Sequence, residues 1–230
     1  MIQKQNLTDL MDEERQNVYA KVGQDYIKVI ERIVKDINQP DKSYLFETID
    51  CMQLEEGCSL GLRLAEKRGY GDESWFFTYR KDRGAAEYLN KLNFISAKFE
   101  DRLQIEHIFV QPTEMGAWQV YLYSINTSLL PVYWHGGYIK RKCVFTHDDL
   151  DFVFVDVDSE VLLNLRDFHG RVSPEVTIQG DKAKIHVCYW NDWKGLVRDT
   201  VEIDFEGNRA VLFERVKTEV LIEYNCGICF

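Results

Sequence analysis

Two cysteines near the C-terminus have a spacing that supports thiol chemistry. Cys226 and Cys229 are separated by two residues, and thiols so placed can form a disulfide or supply half of a zinc site. Zinc would need two further ligands, which His186 and Cys188 could supply only if the last residues folded back over their strand. The pair therefore predicts a redox role, a zinc role or an inert tail. The inert tail is favoured, and we expect no metal and no cofactor.

The segment from Cys226 to Cys229 resembles, over these four residues, the C-G-x-C motif of thioredoxin-like redox proteins. In that family the motif lies between a strand and a helix, near the start of a βαβ unit. Here only Phe230 follows Cys229. The resemblance implies a redox function without the fold that normally carries it.

A second pattern, at residues 57 to 61, matches the G-x-S-x-G of serine hydrolases and places Ser59 at the nucleophile position. That chemistry requires a sharp turn between a buried strand and a helix, which lifts the serine out of the sheet. Ser59 instead precedes the alternating residues of a predicted strand. We therefore expect a turn entering a strand and no nucleophile.

A cluster of carboxylates between residues 147 and 158 could offer oxygen ligands to a divalent cation. The cluster does not have the glycine and glutamate positions of a calcium loop. The favoured interpretation is an acidic loop exposed to solvent. Its members are His147, Asp148, Asp149, Asp151, Asp156 and Asp158.

Two aromatic segments are the main candidates for a binding surface. Aromatic side chains line pockets and partner interfaces, and they also fill cores at the ends of strands. The core interpretation is the more frequent one, and both stay open. The candidate binding residues are Tyr133, Trp134, His135 and Tyr138 in the first segment and Trp190, Asn191, Asp192 and Trp193 in the second.

The second aromatic segment joins two predicted strands between residues 181 and 204. Apolar residues alternate with polar ones on both sides of it, which is typical of an antiparallel sheet with one covered face. Similar alternation predicts about five antiparallel strands over residues 172 to 225. Separate runs at 210 to 214 and at 220 to 224 form the last two of them.

The first half of the chain mixes helical and strand patterns. Apolar spacings of three and four predict a helix over residues 8 to 38, which Gly23 could divide in two. Strands are predicted at residues 44 to 49, 60 to 64, 75 to 79, 105 to 110 and 118 to 123, and short helices at 84 to 94 and 159 to 170.

The predicted fold class is α+β, with an N-terminal helical segment packed on mostly antiparallel β-sheet and an all-β C-terminal meander. We expect a single domain over residues 1 to 230. Its weakest seam, at residues 158 to 173, would divide an α+β part (1–157) from the β-meander (174–230).

Composition limits the function further. Residues of the hydrophobic class make up 45% of the chain, which is enough for a full core. The formal net charge of −10 argues against nucleic acid and against anionic membranes as partners. The chain lacks an apolar N-terminal segment that would direct secretion. These features predict a cytoplasmic protein and leave the oligomeric state open.

The favoured hypothesis is a non-catalytic binding protein with an acidic surface, whose partner is a protein, most readily a basic one. In gross character the chain resembles the intracellular inhibitors that neutralise basic toxins. An enzyme or small-ligand binder with a site around His135 and Trp190 is the alternative. A thiol redox or zinc role for Cys226 and Cys229 is the third hypothesis.

Overall fold

The computed structural model places helices before and between antiparallel strands, which confirms the α+β class. None of the described helices combines the length and the apolar character that a membrane crossing requires. The structure describes residues 11–36, 38–39, 41–67, 71–84, 107–125, 142–153 and 159–227. The predicted helix at 84 to 94 lies outside these residues, except for Gly84.

Helix α1 spans Asp12–Lys35 without a break. Acidic residues occupy its first turn and basic residues its last, which matches the helix dipole at both ends. Gly23 does not divide the helix. The glycine lies against the ring of Phe145, and a Cβ there would stand only 2.6 Å from that ring. The glycine allows this close contact between the helix and the core.

Helix α2 spans Glu114–Ser124, so the strand predicted at 118 to 123 is wrong. The Thr113 hydroxyl accepts a hydrogen bond from the Gly116 backbone N–H at 3.1 Å and caps the helix. Every residue from Gly116 to Tyr123 is buried. A helix that is buried all round shows no helical period in its sequence, and its aromatic and β-branched residues then suggest a strand.

The strand predicted at 44 to 49 is also wrong, because a 3-10 helix spans Ser43–Glu47. The Asp41 carboxylate accepts a hydrogen bond from the Ser43 backbone N–H at 2.8 Å, and this local bond favours a turn over an extended chain. A second 3-10 helix spans His147–Val153, and helix α3 spans Ser159–Arg166.

The strands form three antiparallel groups among the described residues. The strands are β1 Met52–Leu54, β2 Cys58–Lys67, β3 Gly71–Arg80, β4 Ile108–Val110, β5 Lys142–Val144, β6 Glu175–Gln179, β7 Lys182–Asn191, β8 Gly195–Glu206 and β9 Arg209–Ile222. Strands β1 and β4 pair, and β2 and β3 form the predicted hairpin. In the third group the strand order is β5, β7, β8, β9, and β6 also pairs with β7.

The predicted alternation over residues 181 to 204 is confirmed by the hairpin of β7 and β8. The prediction of two separate strands after residue 208 is wrong, because β9 runs unbroken over 14 residues. Register shifts against β8, for example between Thr200 and Val201, interrupt the strict alternation of β9. Bulges of this kind twist the strand without ending it.

Two apolar cores cover opposite faces of the five-stranded sheet. The first contains Ile185 and Val187 of β7 together with α1 and α2. The second contains Cys188 and Trp190 of β7 together with Leu165 of α3. The sheet is therefore buried on both faces at the end near Trp190, where the sequence predicted one wetter face. Strand β5 joins the sheet through β7, and the single-domain assignment with a seam at 158 to 173 stays a prediction.

Candidate functional site

The end of β7 and the turn after it carry four of the predicted binding residues: Trp190 and Asn191 end the strand, and Asp192 and Trp193 begin the turn. Trp193 N–H donates to the Asn191 side chain at 3.0 Å, and Lys194 N–H donates to the Asn191 carbonyl at 3.0 Å. Gly195 then has a φ of +88°, which favours glycine. These bonds fix the turn and hold Trp193 half-buried at its tip.

Trp190 is 0% exposed and belongs to the second core. Its indole N–H donates to the Asp192 carboxylate at 2.8 Å, and its ring lies 5.2 Å from the ring of Tyr224. Because the ring is enclosed and its polar atom is satisfied, Trp190 supports the site from below and offers no surface to a partner.

Asp192 links this turn to other parts of the sheet. Its carboxylate lies 3.4 Å from the ammonium of Lys142 on β5. Its backbone carbonyl accepts a hydrogen bond from the Cys226 N–H at 2.8 Å. The C-terminal segment is thus attached to the aromatic turn, and Cys226 lies there as a half-buried free thiol.

An open groove of about 630 Å³ lies beside the turn. It places two aromatic rings next to an exposed valine and charges of both signs, a combination that suits a peptide or protein ligand. Its lining includes Trp193, Lys194, Thr218, Val220, Glu223 and Tyr224.

The groove continues onto β9, the last strand of the sheet. All seven residues from 214 to 220 are exposed, and they include Val216 and Val220 at 44% and 43%. No other strand of the described residues pairs with β9 on the side away from β8. We call the exposed residues 214–220 and the adjoining groove the β9 surface.

Seven predicted residues lie outside the described part of the chain. They are Tyr133, Trp134, His135, Tyr138, Asp156, Asp158 and Cys229. The ligand site around His135 and Trp190 and the redox role of Cys226 with Cys229 therefore stay predictions.

Two further sequence candidates, Ser59 and Asp149, have hydrogen-bond partners within the fold. Ser59 is buried on β2, with its hydroxyl 3.2 Å from that of Ser43. Asp149 accepts hydrogen bonds from the backbone N–H groups of Phe145 and Thr146 at 2.9 and 2.8 Å. These partners account for the serine and for the central carboxylate of the acidic loop.

Among the described residues, neither His186 nor Cys188 belongs to a cluster of three side chains that could hold a metal ion. The imidazole of His186 lies 3.0 Å from the Thr200 hydroxyl. The thiol of Cys188 lies 3.8 Å from the Arg171 carbonyl. Each side chain is therefore accounted for by a contact within the fold.

Sequence reasoning missed one cluster, formed by Glu55, Cys58 and His107. Their ligand atoms lie within 4.8 Å of one another, and His107 Nδ1 is 2.7 Å from the Glu55 carboxylate. Glu55 and His107 are 52 positions apart, so no local spacing reveals them. The one sequence signal is Cys58 itself, a thiol that stands next to Ser59 within the G-x-S-x-G pattern.

Searches against protein-family models, curated proteins and solved structures give no match to this chain. The site is therefore interpreted from its own geometry alone.

Proposed function

We propose that the protein is a non-catalytic binding protein that receives a partner protein on the β9 surface. The observation that carries this proposal is the run of seven exposed residues on the last strand of the sheet. Val216 and Val220 within that run are almost half exposed. Apolar residues grouped next to an aromatic groove favour association with another surface.

The proposed mode of binding is strand addition. The outer edge of a terminal strand carries backbone N–H and C=O groups that can pair with an extended segment of a partner. Charged side chains also line the exposed run, including Lys217 and Glu219, which pair with each other at 3.3 Å. Such charges protect an edge strand against unselective pairing, so they favour one complementary partner over aggregation.

The expected partner is a basic protein. Within residues 214 to 220 the formal charges cancel, since Glu214 and Glu219 balance Arg215 and Lys217. The chain as a whole carries −10, so electrostatic attraction acts at long range and not through the contact itself. We expect the association rate to fall as ionic strength rises. We propose the cytoplasm as the protein's setting, because six cysteines spread over 230 residues are too sparse for the disulfide scaffold of a small secreted protein.

The test uses a photo-crosslinking amino acid at Val216 or Val220 in the full chain, with irradiation inside the cells that make it. The matched control is the same amino acid at Lys28, an exposed α1 position with 71% of its side chain accessible. We expect one adduct of the same mass from both β9 positions and none from Lys28. The captured protein should be basic.

A substitution at Val216 tests whether formation of the adduct depends on the β9 surface. Val216→Asp, with the crosslinker at Val220, should lower the adduct yield at least 10-fold, since an apolar contact near the centre of an interface is worth more than about 1 kcal/mol. Adducts of equal yield from Lys28, or none from β9, would refute the proposal. An adduct with the mass of two copies would show self-association instead of a distinct partner.

A further inference from the structure

The missed cluster lies where two short strands end. Leu54 of β1 pairs with Ile108 of β4, and Glu55 and His107 are the next residues beyond this pair. The Glu55 N–H donates to the His107 carbonyl at 2.8 Å. Both side chains are thereby anchored by the backbone of the β1–β4 pair.

The third residue is brought in by a tight turn. Cys58 N–H donates to the Glu55 carbonyl at 3.0 Å, and Gly57 within the turn has a φ of +78°. Two ligands separated by two residues on one turn form a common half-site for zinc. Glu55 and Cys58 have that spacing, and His107 approaches from the neighbouring strand.

We propose that Glu55, Cys58 and His107 are protein ligands of a zinc site. Zinc takes thiolate, imidazole and carboxylate ligands at about 2.0–2.3 Å, in tetrahedral geometry. Those bond lengths place the ligand atoms about 3.3–3.8 Å from one another. The three atoms here lie within 4.8 Å, with the closest pair at 2.7 Å, so an ion fits after side-chain shifts of about 1 Å.

The backbone of His107 supports a site over a simple ion pair. Its φ of +62° is the only positive value among the described non-glycine residues, in a region of backbone conformation that L side chains seldom adopt. The His107–Glu55 pair is about one third exposed, and an ion pair so open to solvent adds little stability. The pair alone does not offset the strain. Backbone strain of this kind is concentrated at functional sites.

The charges around the cluster are compatible with a divalent cation. Arg80 lies across from Cys58 on β3 and is paired with Asp82 at 3.5 Å. Its charge is therefore partly balanced before a metal arrives.

Cys58 is suited to be a ligand rather than a nucleophile. It is 5% exposed. A thiol buried to that degree is shielded from substrates. A zinc ion would displace the thiol proton to solvent, and the resulting thiolate and carboxylate would neutralise its two charges.

The test is a cobalt titration of the metal-free full chain, because Co²⁺ occupies zinc sites and reports a thiolate ligand by charge-transfer absorption. We expect one equivalent to bind with a charge-transfer band and with the strong visible bands of tetrahedral coordination. Zn²⁺ should then displace it. Cys58→Ser should abolish the charge-transfer band. His107→Asn, which tolerates the same backbone conformation, should weaken binding on the order of 100-fold or more, because even second-shell changes cost 10–100-fold.

The matched control is the double variant Cys226→Ser with Cys229→Ser, which should leave the titration unchanged. Circular dichroism of each metal-free variant checks that it is folded. A charge-transfer band that survives Cys58→Ser, or that is lost in the double variant, would overturn the proposal, as would the absence of cobalt binding.

The metal ligands can also be identified in the unmodified chain, which does not depend on the folding of any variant. X-ray absorption of the zinc-loaded protein should show one sulfur at about 2.3 Å and nitrogen or oxygen ligands at about 2.0–2.1 Å. A shell without sulfur, or with two or more sulfurs, would refute the assignment.

Discussion

Gly195 is the position where one methyl group should disturb the fold near the groove most. A Cβ at this residue would stand 2.0 Å from the Ile222 carbonyl oxygen and 2.7 Å from the Tyr224 nitrogen. Both are backbone atoms, so a side-chain rotation cannot relieve the overlap. The start of β8 and the end of β9 would have to separate by more than 1 Å to reach the roughly 3.4 Å of ordinary contact.

The magnitude of the Gly195→Ala effect has two parts. Alanine at a φ of +88° costs roughly 1–2 kcal/mol. Forcing an extra methyl group into a packed position costs about 1–3 kcal/mol more. We therefore expect a loss of about 2–5 kcal/mol in the free energy of unfolding. The hydrogen bond from Tyr224 N–H to the Lys194 carbonyl at 3.4 Å should be lost with it.

The assay is urea unfolding followed by tryptophan fluorescence, with Gly207→Ala as the matched control. Gly207 also has a positive φ, of 59°, but a Cβ there would meet no atom within 4 Å. The control isolates the cost of conformation, about 1–2 kcal/mol. With a slope of about 2 kcal/mol per molar urea, Gly195→Ala should unfold roughly 0.5–1.5 M earlier than the control. Equal midpoints would refute the close approach of the two strands.

Two further predictions concern polar groups of the sheet, one half-buried and one buried. Burial lowers the pKa of His186 below its ordinary value of 6.5, so the unfolded chain binds a proton more readily. Stability should be complete above pH 6.5 and fall as the pH drops through 6.5 toward the folded value; His186→Asn should reduce this slope, and an unchanged slope would contradict it. The charged groups acting on this imidazole are Glu175, which raises its pKa, and Arg198, Lys184 and Lys217, which lower it. Asp199 is 1% exposed and accepts a hydrogen bond from the Thr218 hydroxyl at 2.7 Å. Asp199→Ala should cost about 2 kcal/mol in thermal unfolding, against less than about 1 kcal/mol for the more exposed Asp204→Ala; equal costs would contradict the larger contribution expected from the buried carboxylate.

The parts of the fold with a strict two-residue period could be predicted from the sequence. The β7–β8 hairpin has that period because the side chains of its first face are buried in the core that also contains residues of α1 and α2. The same rule failed at Cys188 and Trp190, where α3 covers the opposite face as well. In the sequence, a residue that is buried on the second face of the sheet stands at the same alternate positions as the polar residues. Only the tertiary structure places Trp190 in a core.

Helix α2 and the metal cluster could not be predicted, for different physical reasons. The helix is buried on every side, so its residues show no period that separates it from a strand. The cluster depends on the pairing of β1 with β4, which brings His107 to Glu55 across 52 positions of the chain. Glu55 and Cys58 have a local ligand spacing, but His107 lies in none. The strained φ of His107 is visible only in the folded chain.

The two proposed sites lie near opposite ends of β9, and this separation decides how their tests combine. Arg209, the first residue of β9, lies over the ring of Phe109 beside His107, at 5.5 Å. Val220 and the groove lie 11 residues further along the strand, roughly 35 Å away at about 3.3 Å per residue. Sites so far apart with no shared partner contribute independently. A chain that binds zinc but captures no partner would therefore refute only the proposal for the β9 surface. A chain that captures a partner but fails to bind zinc or cobalt would refute only the proposal for the metal site.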